Sequence, residues 1–275
     1  MHLFKYRSLL PGAAILFFLL FAAAFAPWLA PHTPEKVNLD HRLLSPSPDY
    51  PFGTDHMGRC VFSRVLFGAR VSLFIGFTVV IFSLLVGGFV GTLSGYCGGL
   101  IDEALMRLVD GFLAFPSMFL ALAVAGIFGG GLVNLLIALV LVEWTMYARV
   151  VRSSVLSVKE REYVLAAKGF GKSDLDVIFR HVLPNAFSPL LVMATLGIGN
   201  VILTAAGLSF LGLGVQGLPE WGSMLSDGRF FMQKAPLLMV YPGLSIMLTV
   251  LGFNFLGDGL RDVLDPKDGG LSDDL

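Results

Sequence analysis

The chain has 275 residues, 55% of them hydrophobic and only 14% charged, against about 25% charged in an ordinary soluble domain. Its mean hydropathy is +0.78 and its formal net charge is −1. These values exclude a disordered chain, a water-soluble globule and a basic nucleic-acid binder, and they leave an all-α membrane protein as the expected class.

A helix needs roughly 20 apolar residues to cross a bilayer, so charge-free stretches mark the expected spans. The first has its apolar centre at residues 9–29, behind a basic flank of Lys5 and Arg7. Ala24-Phe25-Ala26 imitates a signal-peptide cleavage site, but the run is longer than the roughly 7–15 apolar residues of a signal and is followed by Pro27. It reads as an uncleaved first helix. A loop over residues 30–70 is Pro-rich at first. It then reads Gly53-Thr54-Asp55-His56-Met57-Gly58-Arg59 and continues as an amphipathic helix through Val61, Val65 and Leu66 into the second span.

The second span is expected over 71–101. The charge-free stretch 111–142 would be about 48 Å long as one helix, too long for a hydrocarbon core of about 30 Å. Gly129-Gly130-Gly131 divides it into spans at 112–128 and 132–150. The fifth span is expected over 186–210 and the sixth over 235–257, with Trp221 between them as an interfacial anchor. Six spans put both termini on one side. Twelve Lys and Arg fall on that side and seven on the other, which makes the termini cytoplasmic, although Arg59, Arg64 and Arg70 run against the trend. The expected organisation is a first helix with its outer loop (1–70), a five-helix core (71–260) with a cytoplasmic loop at 152–185, and a cytoplasmic tail (261–275).

Cys60 and Cys97 are too few and too far apart for a disulfide scaffold, and no His/Cys cluster has the spacing of a structural metal site. His56 beside Asp55 is open to two readings, a structural histidine or an outer ligand for a metal cargo. Glu143 is the one carboxylate inside an expected span. It is either a partnered structural group or part of a translocation path.

The loop 152–185 is the most informative segment. Tyr163, Val164, Ala166, Ala167 and Phe170 recur at helical spacing, a Gly-Lys-Ser-Asp break follows, and Leu175, Ile178, Phe179 and Val182 continue a second helical pattern up to Pro184. Two short amphipathic helices around a glycine turn fit a groove on a soluble partner, or pack on their own bundle. Residues 166–173 nearly spell a phosphate-binding loop. Ala166 replaces its first glycine, and the charged stretch upstream cannot be a buried parallel strand, so nucleotide binding is not expected here.

The same loop resembles the "EAA" signature of permease subunits from binding-protein-dependent ABC importers. The resemblance rests on Ala166, Ala167, Gly171, His181, Leu183 and Pro184, with Glu162 upstream and Asn185 closing the run as in the peptide/nickel branch. Three further motifs of that branch agree: the run from Gly53 to Arg59 with Arg64 and Arg70, the run from Ser209 to Val215 with Pro219-Glu220-Trp221-Gly222, and the run from Gly257 to Pro266. Cys60 departs from the pattern, which usually has Asp there.

The resemblance implies a type I ABC importer permease in a bacterial or archaeal cell membrane. The implied partners are a homologous second permease, two cytoplasmic ATPases and an extracytoplasmic solute-binding protein. The chain itself is then no enzyme and holds no cofactor, ATP and magnesium belonging to the ATPases. Glu162, Ala166, Ala167, Gly171, His181, Leu183 and Pro184 would form the ATPase-coupling segment. Small residues would keep one helical face open, and Pro184 would end the helix. The branch carries nickel, metal chelates or small peptides, and the stretch from Trp144 to Glu162 looks slightly closer to nickel permeases. A selectivity filter for a channel and paired catalytic groups for a membrane enzyme are both missing from the sequence.

Overall fold

The computed structural model describes residues 9–264; the expected tail beyond Leu264, and Lys5 and Arg7, lie outside them. In chain order the helices are α1 (Leu9–Ala24), α2 (Ala26–Leu29), α3 (Val61–Cys97), α4 (Gly99–Leu113), α5 (Ser117–Phe128) and α6 (Leu132–Lys159). They continue as α7 (Glu162–Gly169), α8 (Asp174–Val177), a π-helical turn (Ile178–Val182), α9 (Leu183–Phe210), α10 (Trp221–Gly228) and α11 (Leu237–Leu264). Among the described residues the β structure is a single bridge, Thr54 to Cys60.

Four helices, α3, α6, α9 and α11, are long and apolar enough to cross a bilayer. The pair α4–α5 passes the same test jointly but is bent by 87°, and α1 is a shorter apolar helix. These six segments take the six expected places. Loops 30–60, 129–131 and 211–236 gather at one face of the bundle, and residues 98 and 160–182 at the other.

The core lies where α3, α6, α9 and α11 meet, filled by Ile75, Val79, Leu135, Leu139, Ile202 and Leu208. Lipid is as apolar as leucine, so helices in a membrane are held by close packing rather than by exclusion from water. Small residues supply that closeness. Gly87, Gly91 and Gly95 line the α3 face against α6, where added methyl groups would meet the Trp144 carbonyl at 2.4 Å, the Ala148 carbonyl at 2.4 Å and the Arg152 carbonyl at 3.0 Å. Gly12 of α1 sits against α11, where an added methyl group would stand 2.5 Å from the Leu256 backbone nitrogen.

Four expectations are corrected. The second span's helix begins at Val61, ten residues early, and takes in Arg64, which faces Asp55 at 3.6 Å and donates to the Pro34 carbonyl at 3.4 Å, and Arg70, which lies 5.9 Å over the Phe67 ring. It stops at Cys97, where Gly98 takes φ +67. Residues 99–113, expected to contain the end of one span, a loop and the start of another, form the amphipathic α4; the chain then turns through Pro116 into α5. Trp221 is no interfacial anchor. It is 1% exposed, packs over Gly68 and donates from its indole nitrogen to the Val65 carbonyl at 3.0 Å.

Candidate coupling segment and interior cavity

Residues 160–182 form a compact knob at one face. Val164, Ala167, Val177 and Val182 point inward and pack with Val151, Val155 and Val158 at the end of α6. Polar contacts tie the same knob to α3. The Tyr96 hydroxyl donates to the Asp174 carboxylate, and the Lys168 ammonium lies 4.4 Å over the Tyr96 ring and 3.8 Å from Asp174. These partners hold the Lys168 ammonium above its ordinary range, the Tyr96 hydroxyl foremost. Beside them Lys159 donates to the Gly95 carbonyl at 2.7 Å, and Arg152 grips Asp102 of α4 through two hydrogen bonds of 2.6 Å.

The outward face of the knob is apolar. Phe170 is 89% exposed, Leu175 68% and Phe179 66%, with Leu165 and Tyr163 close behind. Glu162 and Ala166 are exposed beside them, Pro184 is exposed at the root of α9, and Leu183 and His181 are half-buried, the His181 ring 6.4 Å from that of Tyr163.

Two expectations about this segment fail. Ala166, Ala167 and Gly171 do not share one small open face: Ala167 is buried inward, Ala166 points outward, and Gly171 lies past the helix end at φ +79, where it makes the turn. Nor does Pro184 end a helix. The chain runs helically from Asp174 to Phe210, and Pro184 sits in the first turn of α9. The π turn explains this. The Leu183 N–H bonds to the Ile178 carbonyl, five residues back, so the turn is widened where a proline ring would otherwise strike the preceding one. The segment upstream of Gly171-Lys172-Ser173 is α7, not the strand a phosphate-binding loop requires.

A cavity of about 460 Å³, open to one side, lies along α6, α9 and α11, lined by Glu143, Tyr147, Val150, Gly197, Asn200 and Arg261 among others; Asn200 and Arg261 are exposed in it. Tyr147 is buried, with its hydroxyl packed on Gly197 of α9. Glu143, four residues earlier on α6, forms no hydrogen bond or ion pair among the described residues. At the opposite face Asp55 accepts N–H bonds from Met57 at 2.8 Å and Arg59 at 2.9 Å, pairs with the Arg59 guanidinium at 2.6 Å, and through Arg59 reaches Asp227 of α10 at 3.4 Å. His56 stacks on Phe231, and no group of three His, Cys, Asp or Glu that could hold a metal occurs among the described residues. Cys60 is buried, Cys97 is exposed, and both are free.

Sequence reasoning missed Asn200, Arg261 and the Tyr96–Lys168–Asp174 clasp. Only the charges inside loop 152–185 hinted at the clasp, and nothing local pointed across to Tyr96.

Four helices of membrane-crossing length, a bent apolar pair and a shorter apolar helix, with a largely apolar cavity that carries Glu143, Asn200 and Arg261 and an apolar-tipped knob at one face, define the class: a membrane transport permease. Residues 83–267 match the family of binding-protein-dependent transport system inner membrane components, and residues 2–46 match the N-terminal transmembrane domain of oligopeptide transport permease C. The chain belongs to the former family and is the permease component of an ABC importer. It is 47% identical, over 96% of its own length and 87% of the relative's, to the dipeptide transport system permease protein DppC of Alkalihalophilus pseudofirmus. It is 42% identical, over 92% and 91%, to the nickel transport system permease protein NikC of Escherichia coli. Its fold also matches an inward-facing MetNI methionine ABC transporter structure with a TM-score of 0.61, at 19% identity over 74% of this chain and 98% of that one.

Proposed function

We propose that the chain forms half of the translocation path of an ATP-driven importer for di- and oligopeptides. A homologous second permease completes the path, two cytoplasmic ATPases bind beneath, and a solute-binding protein docks on the opposite, extracytoplasmic face. ATP and magnesium act in the ATPases. Both termini are cytoplasmic in this reading, in accord with the excess of Lys and Arg on their side.

The observation that carries the coupling role is the exposed apolar tip of the knob. Phe170, Leu175 and Phe179 project from a polar loop into water, where each large side chain forgoes roughly 1.5–3 kcal/mol of burial. A groove on an ATPase would recover that energy. The knob is also rigidly mounted. Its inner face shares a core with α6, its clasp holds α3, and its second helix runs on into α9. Moving the knob therefore moves the walls of the cavity that holds Glu143 and Asn200.

The substrate class follows the relatives. The dipeptide permease stands above the nickel permease in identity, which reverses the slight lean toward nickel read from the stretch between Trp144 and Glu162. The test is purification of the assembled importer with wild-type chain and with Phe170→Asp, followed by uptake of alanyl-alanine and of Ni²⁺ into proteoliposomes. Wild type is expected to retain both ATPases and take up the dipeptide; Phe170→Asp is expected to insert but lose the ATPases. Full ATPase retention by Phe170→Asp refutes the coupling role, and Ni²⁺ uptake without dipeptide uptake refutes the substrate.

A further inference from the structure

The 460 Å³ cavity holds two charges of opposite sign that the chain itself leaves unpaired. Glu143 lies inside a span, where an uncompensated carboxylate costs several kcal/mol even on the milder scales. Arg261 lines the same cavity from α11. No ion pair of either one is present among the described residues, so they do not neutralise each other. Asp258 and Asp262, the acids nearest Arg261 on its own helix, do not reach it either. The same lining carries hydrogen-bonding groups that suit a peptide unit: the amide of Asn200 on α9 and the hydroxyl of Tyr147 on α6.

We propose that this cavity is a subsite for a zwitterionic peptide, with Glu143 facing its terminal ammonium group and Arg261 its terminal carboxylate. The inference rests on the peptide reading given above and specifies it. Dimensions agree. The part of α6 that lines the cavity runs from Glu143 to Val150, about 10 Å at helical rise, and an extended dipeptide measures about 7 Å. Charge argues the same way. A bare divalent cation would be drawn to Glu143 but repelled by Arg261, whereas a zwitterion satisfies both. Gly197 completes the fit: its missing side chain lets the Tyr147 hydroxyl reach α9, where a methyl group would stand 2.4 Å from it.

The experiment uses the complete importer in proteoliposomes, with alanyl-alanine as probe and binding-protein-stimulated ATP hydrolysis as the control for assembly. Charge-assisted hydrogen bonds are strong enough that Glu143→Gln and Arg261→Gln are each expected to lower dipeptide uptake about tenfold or more. Stimulated ATP hydrolysis is expected to stay near wild type. Glu143→Asp and Arg261→Lys are expected to retain most uptake, because they keep the charge, while glutamine keeps only the shape and the acceptor.

Uptake by both glutamine variants within a factor of about two of wild type overturns the proposal. So does a parallel loss of ATP hydrolysis and assembly, which would assign the two charges to pairing across the permease interface. Failure of the peptide reading is visible separately, since wild type itself would then take up no alanyl-alanine, and the subsite would fall with it.

Discussion

Close packing of α3 on α6 makes a quantitative prediction for Gly91→Ala. The added Cβ would stand 2.4 Å from the Ala148 carbonyl oxygen and 2.8 Å from the Val151 Cβ, where ordinary contact begins at 3.4 Å. Both obstacles are held by the α6 backbone, so neither can rotate away. The helices must part by about 0.6–1.0 Å, a gap that forfeits a quarter to a half of the dispersion energy at each contact it opens. Overpacking of this kind costs about 1–3 kcal/mol. Alanine also gains up to about 1 kcal/mol of helix propensity over glycine, which would mask part of the loss.

Gly88 removes that ambiguity. It directly follows Gly87 on the same helix, off the stripe, and a methyl group there meets nothing within 4 Å. Gly88→Ala therefore reports propensity alone, and the difference between the two variants isolates the clash at about 1–3 kcal/mol. The assay follows reaction of a fluorogenic maleimide during heating in a Cys97→Ser background. Cys60, 2% exposed, is then the reporter of unfolding. Gly91→Ala is expected to melt several degrees below Gly88→Ala. Because one displacement relieves both clashes, adding Gly87→Ala is expected to cost less than its separate effect. Equal midpoints for Gly91→Ala and Gly88→Ala would falsify the argument, and full additivity with Gly87→Ala would show that the helices do not move as units.

Three further outcomes are expected. Tyr96→Phe removes the hydrogen bond that ties α8 to α3, so amide exchange over residues 174–182 is expected to quicken about fivefold or more while the melting midpoint stays put, as measured by mass spectrometry. Gly171 needs its positive φ but has open space around it, so Gly171→Asn is expected to keep ATPase binding in a pull-down, whereas Gly171→Trp is expected to lose it with insertion intact. Glu220 is buried and caps α10, its carboxylate accepting from the N–H groups of Gly222 at 2.7 Å and Ser223 at 2.8 Å; burial pushes its carboxyl up despite them. A raised carboxyl favours the folded state when protonated, so stability is greatest below the unfolded value and declines as pH climbs through the folded one. The melting midpoint by circular dichroism is expected to fall over that interval in wild type and to stay flat in Glu220→Gln, while Glu220→Ala, with two donors left unsatisfied, loses roughly 2–4 kcal/mol.

The spans were legible because a bilayer imposes one rule, a long run without charge, and residues 186–210 or 235–257 obey it without help from the rest of the fold. Charge misled where tertiary partners cancel it. Arg70 set the start of the expected second span, yet the helix begins upstream of both it and Arg64, whose partners Asp55 and the Pro34 carbonyl cannot be seen in a linear reading. The amphipathic α4 was hidden for a similar reason: its acids and Arg107 read as loop, although they lie along one side of a helix with Asp102 held by Arg152 of α6. The knob's two-helix outline was readable from period alone. Its inner and outer faces were not, since that division depends on which valines meet the end of α6. Pro184 deceived because its usual meaning assumes a regular α-helical turn before it, and the turn here is wider.

The length of α3 has a mechanical consequence. Its 37 residues measure about 56 Å, nearly twice the hydrocarbon thickness, so one unbroken rod reaches from the Asp55–Arg64 contact at one surface to the Tyr96–Asp174 contact at the other. A docking event that tips one end of such a strut displaces the far end with little slack. The two surfaces of this subunit are in that sense the ends of a single beam.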